Sequence, residues 1–228
     1  MQDVTMPRRL LSSIALGIAM ILAGCGGPRT GEKIVPATRP AEDLSHRTPT
    51  SAPTESSYAL GPAPADLRTV DWARVPLPGD FCGVPQLLRL GDSGIEAESR
   101  TMGVVSIGRS GEVEYGDIDG DKRPEAVVGL GCTNGGGTAS GQLGFAMVVV
   151  GAVRGQLTTL GTITPQYTPD SQSHIPLLGE VEFKKGEVAV HESWYRPSDS
   201  TCCPSGKAVT VWSYDAGRLT PGAPRVVA

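Results

Sequence analysis

The chain has 228 residues, with 20 Lys and Arg against 24 Asp and Glu, three His and five Cys. This mildly acidic balance offers no basic face to a phosphate backbone, which excludes nucleic acid as a partner. Beyond the first 24 residues no apolar run is long enough to cross a bilayer as a helix.

The amino-terminal segment opens with Arg8 and Arg9, followed by an apolar run from Leu10 to Leu22 softened only by Ser12, Ser13 and Gly17. The run is short for permanent residence in a ~30 Å hydrocarbon core, so residues 1–24 read as a secretory signal. The Arg pair leaves both general and twin-arginine export open. The segment ends in Leu22-Ala23-Gly24-Cys25, where the two small residues admit a signal peptidase to the backbone. The thiol of Cys25 is the one atom there able to accept a diacylglycerol. The expectation is lipidation at Cys25 and a protein held on the extracytoplasmic face of the cell membrane, each buried methylene adding ~0.8 kcal/mol.

From Cys25 to Asp66 the composition shifts to Ser, Thr and Ala, punctuated by Pro28, Pro36, Pro40, Pro49, Pro53, Pro62 and Pro64. Such a segment cannot bury enough apolar surface to offset its ordering entropy, and residues 25–66 are expected to be a disordered tether containing His46.

Residues 67–228 read as a single all-β domain. Short β-rich segments are expected at Met102 to Ile107, Glu112 to Tyr115, Glu125 to Leu130 and Leu143 to Ala152. The series continues with Gln156 to Thr164, Leu178 to Phe183, Glu187 to Tyr195 and Ala208 to Tyr214. Turns are expected at Val153-Arg154-Gly155, Lys184-Lys185-Gly186 and Asp215-Ala216-Gly217. Val188 and Val190 alternate with Ala189 and His191, as in a half-buried strand; Val209 and Val211 alternate in the same way with Thr210 and Trp212. Phe145 to Val150 is apolar on both faces and reads as a central strand. Pro85 to Leu90 has room for one helical turn. Together these segments predict an antiparallel sandwich or partly open barrel.

With Cys25 lipidated, Cys82, Cys132, Cys202 and Cys203 remain, an even number that suggests two disulfides in an oxidising compartment. Zinc is disfavoured, since the cysteines form no Cys-x-x-Cys pair and the histidines are scattered. Adjacent residues on a strand point to opposite faces, so Cys82 and Cys132 are each expected to pair with one member of the doublet.

The chemically loudest segment is Asp117-Ile118-Asp119-Gly120-Asp121-Lys122-Arg123-Pro124-Glu125. Carboxylates from Asp117, Asp119, Asp121 and Glu125 are what a hard cation such as Ca²⁺ needs, because a tight loop turns alternate oxygens inward. The segment resembles the DxDGDGxxD loop of FG-GAP and related β-propeller repeats, with Lys122 at a position that favours glycine and φ > 0. An Asp/Gly-stabilised turn between Tyr115 and Ala126 is the competing reading.

Other features have plainer explanations. Gly91-Asp92-Ser93-Gly94 looks like a protease nucleophile segment, but no histidine of the domain precedes it, so it reads as a turn. His174 and His191 are the candidate bases of a hydrolase reading, without a motif around either. Trp194, Tyr195, Trp212 and Tyr214 either line a cleft or, the preferred reading, cover the sheet. Gly135-Gly136-Gly137 reads as a hairpin tip and no phosphate loop.

Cys82, the stretch Tyr115 to Val128, Cys132 ahead of a Gly-rich stretch, and Cys202-Cys203-Pro204-Ser205-Gly206 leading to Trp212-Ser213-Tyr214-Asp215-Ala216-Gly217 occur in that order. This combination resembles the LppP/LprE type of actinobacterial secreted lipoproteins over roughly Val70 to Leu219. The resemblance implies a cell-envelope location and supplies no catalytic residue. The function expected is a non-enzymatic, membrane-anchored binding domain, with an assembly lipoprotein docking on another envelope protein as the alternative.

Overall fold

A computed structural model describes residues 57–136, 139–170 and 174–228. The expected signal, Cys25, His46 and the tether up to Ser56 lie outside the described residues, as does Gly137.

The strands in the first part of the domain are β1 (Ala59–Pro62), β2 (Pro76–Gly79), β3 (Val84–Arg89), β4 (Ile95–Ser99) and β5 (Gly103–Arg109). They are followed by β6 (Glu114–Gly116), β7 (Glu125–Thr133), β8 (Gln142–Val153) and β9 (Gln156–Ile163). The last part contains β10 (Leu177–Lys184), β11 (Glu187–Trp194), β12 (Gly206–Asp215), β13 (Arg218–Pro221) and β14 (Arg225–Val226). Helical structure among the described residues is limited to single 3₁₀ turns at Leu67–Thr69, Asp80–Cys82 and Ala139–Gly141.

A seven-stranded antiparallel sheet runs β1-β9-β8-β7-β5-β4, with β6 also paired to β7, and curls into an open half-barrel. A second sheet runs β10-β11-β12-β13, with β14 on β12, and β2 pairs with β3. The expected sandwich or partly open barrel is therefore the observed architecture.

β7 and β8 are the reason for this arrangement. Val128, Leu130, Val148 and Val150 point into the half-barrel and pack with Trp72, Leu77 and Leu90. Val127, Met147 and Val149 point the other way and pack with Val188, Val190, Ile163 and Trp212. A strand apolar on both faces must be covered on both, which the second sheet accomplishes.

Some expectations change. β1 precedes the predicted domain boundary at Leu67 and pairs with β9 through Ala59↔Thr158 and Pro62↔Gln156. Folded structure thus begins inside the segment read as tether. Pro62 is tolerated there because β1 is an edge strand. Pro85 to Leu90 forms most of β3 and no helical turn. In β12 the buried side chains are Ala208, Thr210 and Trp212, whereas Val211 is exposed. The Trp has more apolar surface to bury than the valines, and Thr210 has a buried partner in Glu192.

The cysteines pair differently from the expectation. Cys82, in its 3₁₀ turn, bonds Cys132 of β7, with Cα atoms 6.0 Å apart, and Cys202 bonds Cys203. Cys82 and Cys132 are sealed in one core, whereas the doublet occupies an exposed turn ahead of β12. Alternation between strand faces does not apply to residues that are not on a strand.

Candidate functional site

The segment Asp117–Pro124 connects β6 to β7, and its backbone is held by its own carboxylates. Asp117 accepts from Gly120 N at 2.7 Å through Oδ1 and from Lys122 N at 3.1 Å through Oδ2. Asp119 Oδ1 accepts from Asp121 N at 2.9 Å. Glu125, the first residue of β7, turns back and accepts from Ile118 N at 2.7 Å and Asp119 N at 3.3 Å through Oε2. Ile118 is wholly buried and anchors the loop to the core between the sheets. Gly120 and Lys122 adopt φ of +81° and +70°, so Lys122 does occupy the left-handed position that its sequence context suggested.

These bonds bring Asp117, Asp119 and Glu125 together, each with one carboxylate oxygen within 4.8 Å of the others. Asp121, the fourth expected ligand, does not join them. Its Oδ1 accepts from Arg123 N and its Oδ2 from Arg123 Nε, both at 2.8 Å, and this pairing lowers its pKa. A guanidinium two residues away captures a carboxylate more cheaply than a shared site crowded with like charge.

Glu125 is 3% exposed. Burial, opposed by its bonds to Ile118 and Asp119 N–H and reinforced by the charge of Asp119, lifts its carboxyl from 4.5 to about 7. Three further residues, Lys185, Gly186 and Tyr214, complete the surroundings from distant parts of the chain. The Lys185 alkyl chain lies across Gly120, where a Cβ would come within 2.6 Å of its Cε, and Gly186 N donates to Ile118 O at 2.7 Å. The Tyr214 hydroxyl is shifted up by burial and then by the charges of Asp119 and Glu125. Sequence reasoning placed none of the three at the loop, reading Lys185 and Gly186 as part of a turn and Tyr214 among the sheet-covering aromatics, because all three are distant from it in sequence. Chemically, the arrangement is a rigid oxygen-rich turn with three converging carboxylates, a donor set suited to a hard cation.

The other sequence candidates are dispersed. His191, on β11, pairs with Glu182 of β10 at 3.0 Å on the solvent face. His174 meets the ring of Tyr195 edge-on at 4.9 Å. Ser93 is exposed in the turn between β3 and β4. Trp212 and Tyr195 are buried, and Trp194 covers Gly206, where a Cβ would come within 2.2 Å of the indole. These aromatics cover the sheet, as the plainer reading held.

No family model, curated protein or solved structure matches the chain.

Proposed function

We propose that this protein is a non-enzymatic binding domain of the cell envelope, anchored through lipid on Cys25, whose Asp117–Glu125 loop takes a Ca²⁺ ion. The observation that carries the reading is the convergence of Asp117, Asp119 and Glu125 within 4.8 Å. A divalent ion there would offset the repulsion among the carboxylates and the desolvation of Glu125, using only oxygens that the turn already holds in place. The anchor rests on Ala23-Gly24-Cys25 after an apolar run and on the resemblance to LppP/LprE lipoproteins.

Calorimetric titration of the full chain with Ca²⁺ tests the loop. Binding that is lost in Asp119→Ala and kept in Asp121→Asn is the expected result, since Asp121 faces Arg123. Equal heats from all three proteins would dismiss the site. The anchor is tested separately by palmitate labelling in cells, which Cys25→Ser should abolish.

A further inference from the structure

A cavity of about 240 Å³ lies between β6, β8 and β10, and its lining includes no residue of the aspartate loop. Its floor is the face of β7 and β8 where Gly129 stands opposite Met147 in register. Phe145, Met147 and Leu178 supply the apolar surface, with Ser110, Gly111, Glu112 and Glu114 along one side and Gly179 along the other.

The origin of the gap is traceable to particular residues. Phe183 of β10 lies against Gly116 of β6 so closely that a Cβ on Gly116 would come within 2.1 Å of the ring. Further along, β10 departs from regular register between Leu178 and Val181, and an irregularity of this kind bends a strand away from its neighbour. Gly129 then adds no side chain to fill the space. Its Cβ would come within 2.1 Å of Ser110 O, so only glycine fits there.

The mouth of the cavity is acidic. Two carboxylate side chains line it, Glu112, which is exposed, and Glu114 of β6, which is half-buried and whose carboxyl is shifted up by burial and then by the charge of Glu180. Among the described residues, neither carboxylate has an ion-pair or hydrogen-bond partner. Arg109, which lines an adjoining polar cavity with Glu112, sits 3.7 Å from Asp92. Two lining carboxylates beside an apolar floor favour a ligand that brings both a positive charge and an apolar body. A bare metal ion would leave that floor uncovered.

We propose that this cavity binds an organic cation, an alkyl- or arylammonium group whose charge sits at Glu112 and Glu114 and whose body lies on Phe145, Met147 and Leu178. A free amine and the lysine side chain of a partner polypeptide share this chemistry. The inference is independent of calcium.

The full chain, labelled with ¹³C at the methionine methyls and held in EDTA, is titrated with 2-phenylethylammonium, neutral 2-phenylethanol and the capped dipeptide acetyl-Phe-Lys-amide. The amine should shift the Met147 methyl and bind at least about tenfold more tightly than the alcohol, because only the amine meets the carboxylates. Glu114→Gln should remove most of that preference. Glu112→Gln, at an exposed position, gives the same test without risk to the core. Tighter binding of the dipeptide would assign the cation to a partner chain, and tighter binding of the amine to a small molecule. Equal affinity for amine and alcohol, an unmoved Met147 methyl, or an unchanged preference in both variants would overturn the proposal.

Discussion

Thr210 of β12 donates its hydroxyl to Glu192 of β11 at 2.6 Å, and both side chains are sealed between the sheets. The other oxygen of Glu192 accepts from Gln166 N at 3.0 Å and Tyr167 N at 2.9 Å. One buried carboxylate therefore binds the strand beside it and the segment that leaves β9, tying the two sheets together where the chain crosses between them.

Replacing Glu192 with Ala leaves the Thr210 hydroxyl and two backbone N–H groups without their partner in the interior. The expected cost is about 3–5 kcal/mol, against about 1–2 kcal/mol for Thr210→Val, which removes one donor and leaves the rest of the network intact. Urea unfolding of the two variants and of the double variant gives both values and their coupling. A wild-type midpoint for Glu192→Ala would show that the network contributes little.

Gly129 and Gly131 lie on the same strand and face, yet they should respond differently to a methyl group. A Cβ at Gly129 would meet the backbone Ser110 O at 2.1 Å, and a backbone carbonyl cannot swing aside. At Gly131 the nearest atom is 3.6 Å away on the Phe145 ring, an ordinary contact. Gly129→Ala is expected to destabilise by about 2 kcal/mol or more, and Gly131→Ala to stay within about 1 kcal/mol of wild type. Thermal unfolding distinguishes them, and equal losses would refute the steric account.

How much of this could be read from the chain alone depends on the range of the deciding interaction. The central position of β8 was legible because Phe145–Val150 is apolar on both faces. The turn at Asp215–Gly217 was legible from local composition, and Ala216 and Gly217 indeed take φ of +49° and +82°. The facing of β12 was not, because Thr210 turns inward for the sake of Glu192 on another strand. β1, β2 and their prolines were missed because edge and two-stranded positions tolerate a residue that usually argues against strand. At the aspartate loop the convergence of Asp117, Asp119 and Glu125 followed from spacing. The diversion of Asp121 hinged on Arg123, a local charge pair that the ligand pattern alone ignores.

Glu125 sets a pH dependence whose sign can be worked out. Its native carboxyl titrates at about 7, above its ordinary value of 4.5, so the native state holds the proton longer than the unfolded chain. In metal-free protein its contribution is therefore most favourable below about pH 4.5 and is lost as pH rises to about 7, on the order of 2–3 kcal/mol. The difference in unfolding free energy between wild type and Glu125→Gln, followed in EDTA from pH 4 to 8, isolates this group from the other carboxylates. That difference should drift against the wild type across the window and then flatten. A constant difference would mean that Glu125 is not the group responsible.

The two disulfides should differ sharply in what they contribute. Cys82 and Cys132 are separated by 50 residues, so their bond removes much of the freedom of the unfolded chain, about 4 kcal/mol on the loop-closure model. Cys202 and Cys203 are adjacent, and a bond between neighbours restricts almost nothing beyond its own turn. That turn has other supports, since Asp199 accepts from Arg196 N and Ser205 N at 2.8 Å each, and Tyr195 donates to Thr201 O at 3.1 Å. The paired Cys82→Ala and Cys132→Ala change should therefore cost several kcal/mol, and the paired Cys202→Ser and Cys203→Ser change less than about 1 kcal/mol. Accessibility points the same way: a mild thiol reductant should open the exposed doublet first, while the fully buried bond resists until the core itself opens. Non-reducing peptide mapping decides the connectivity on which this rests, because a fragment joining Cys82 or Cys132 to the doublet would reverse both stability expectations.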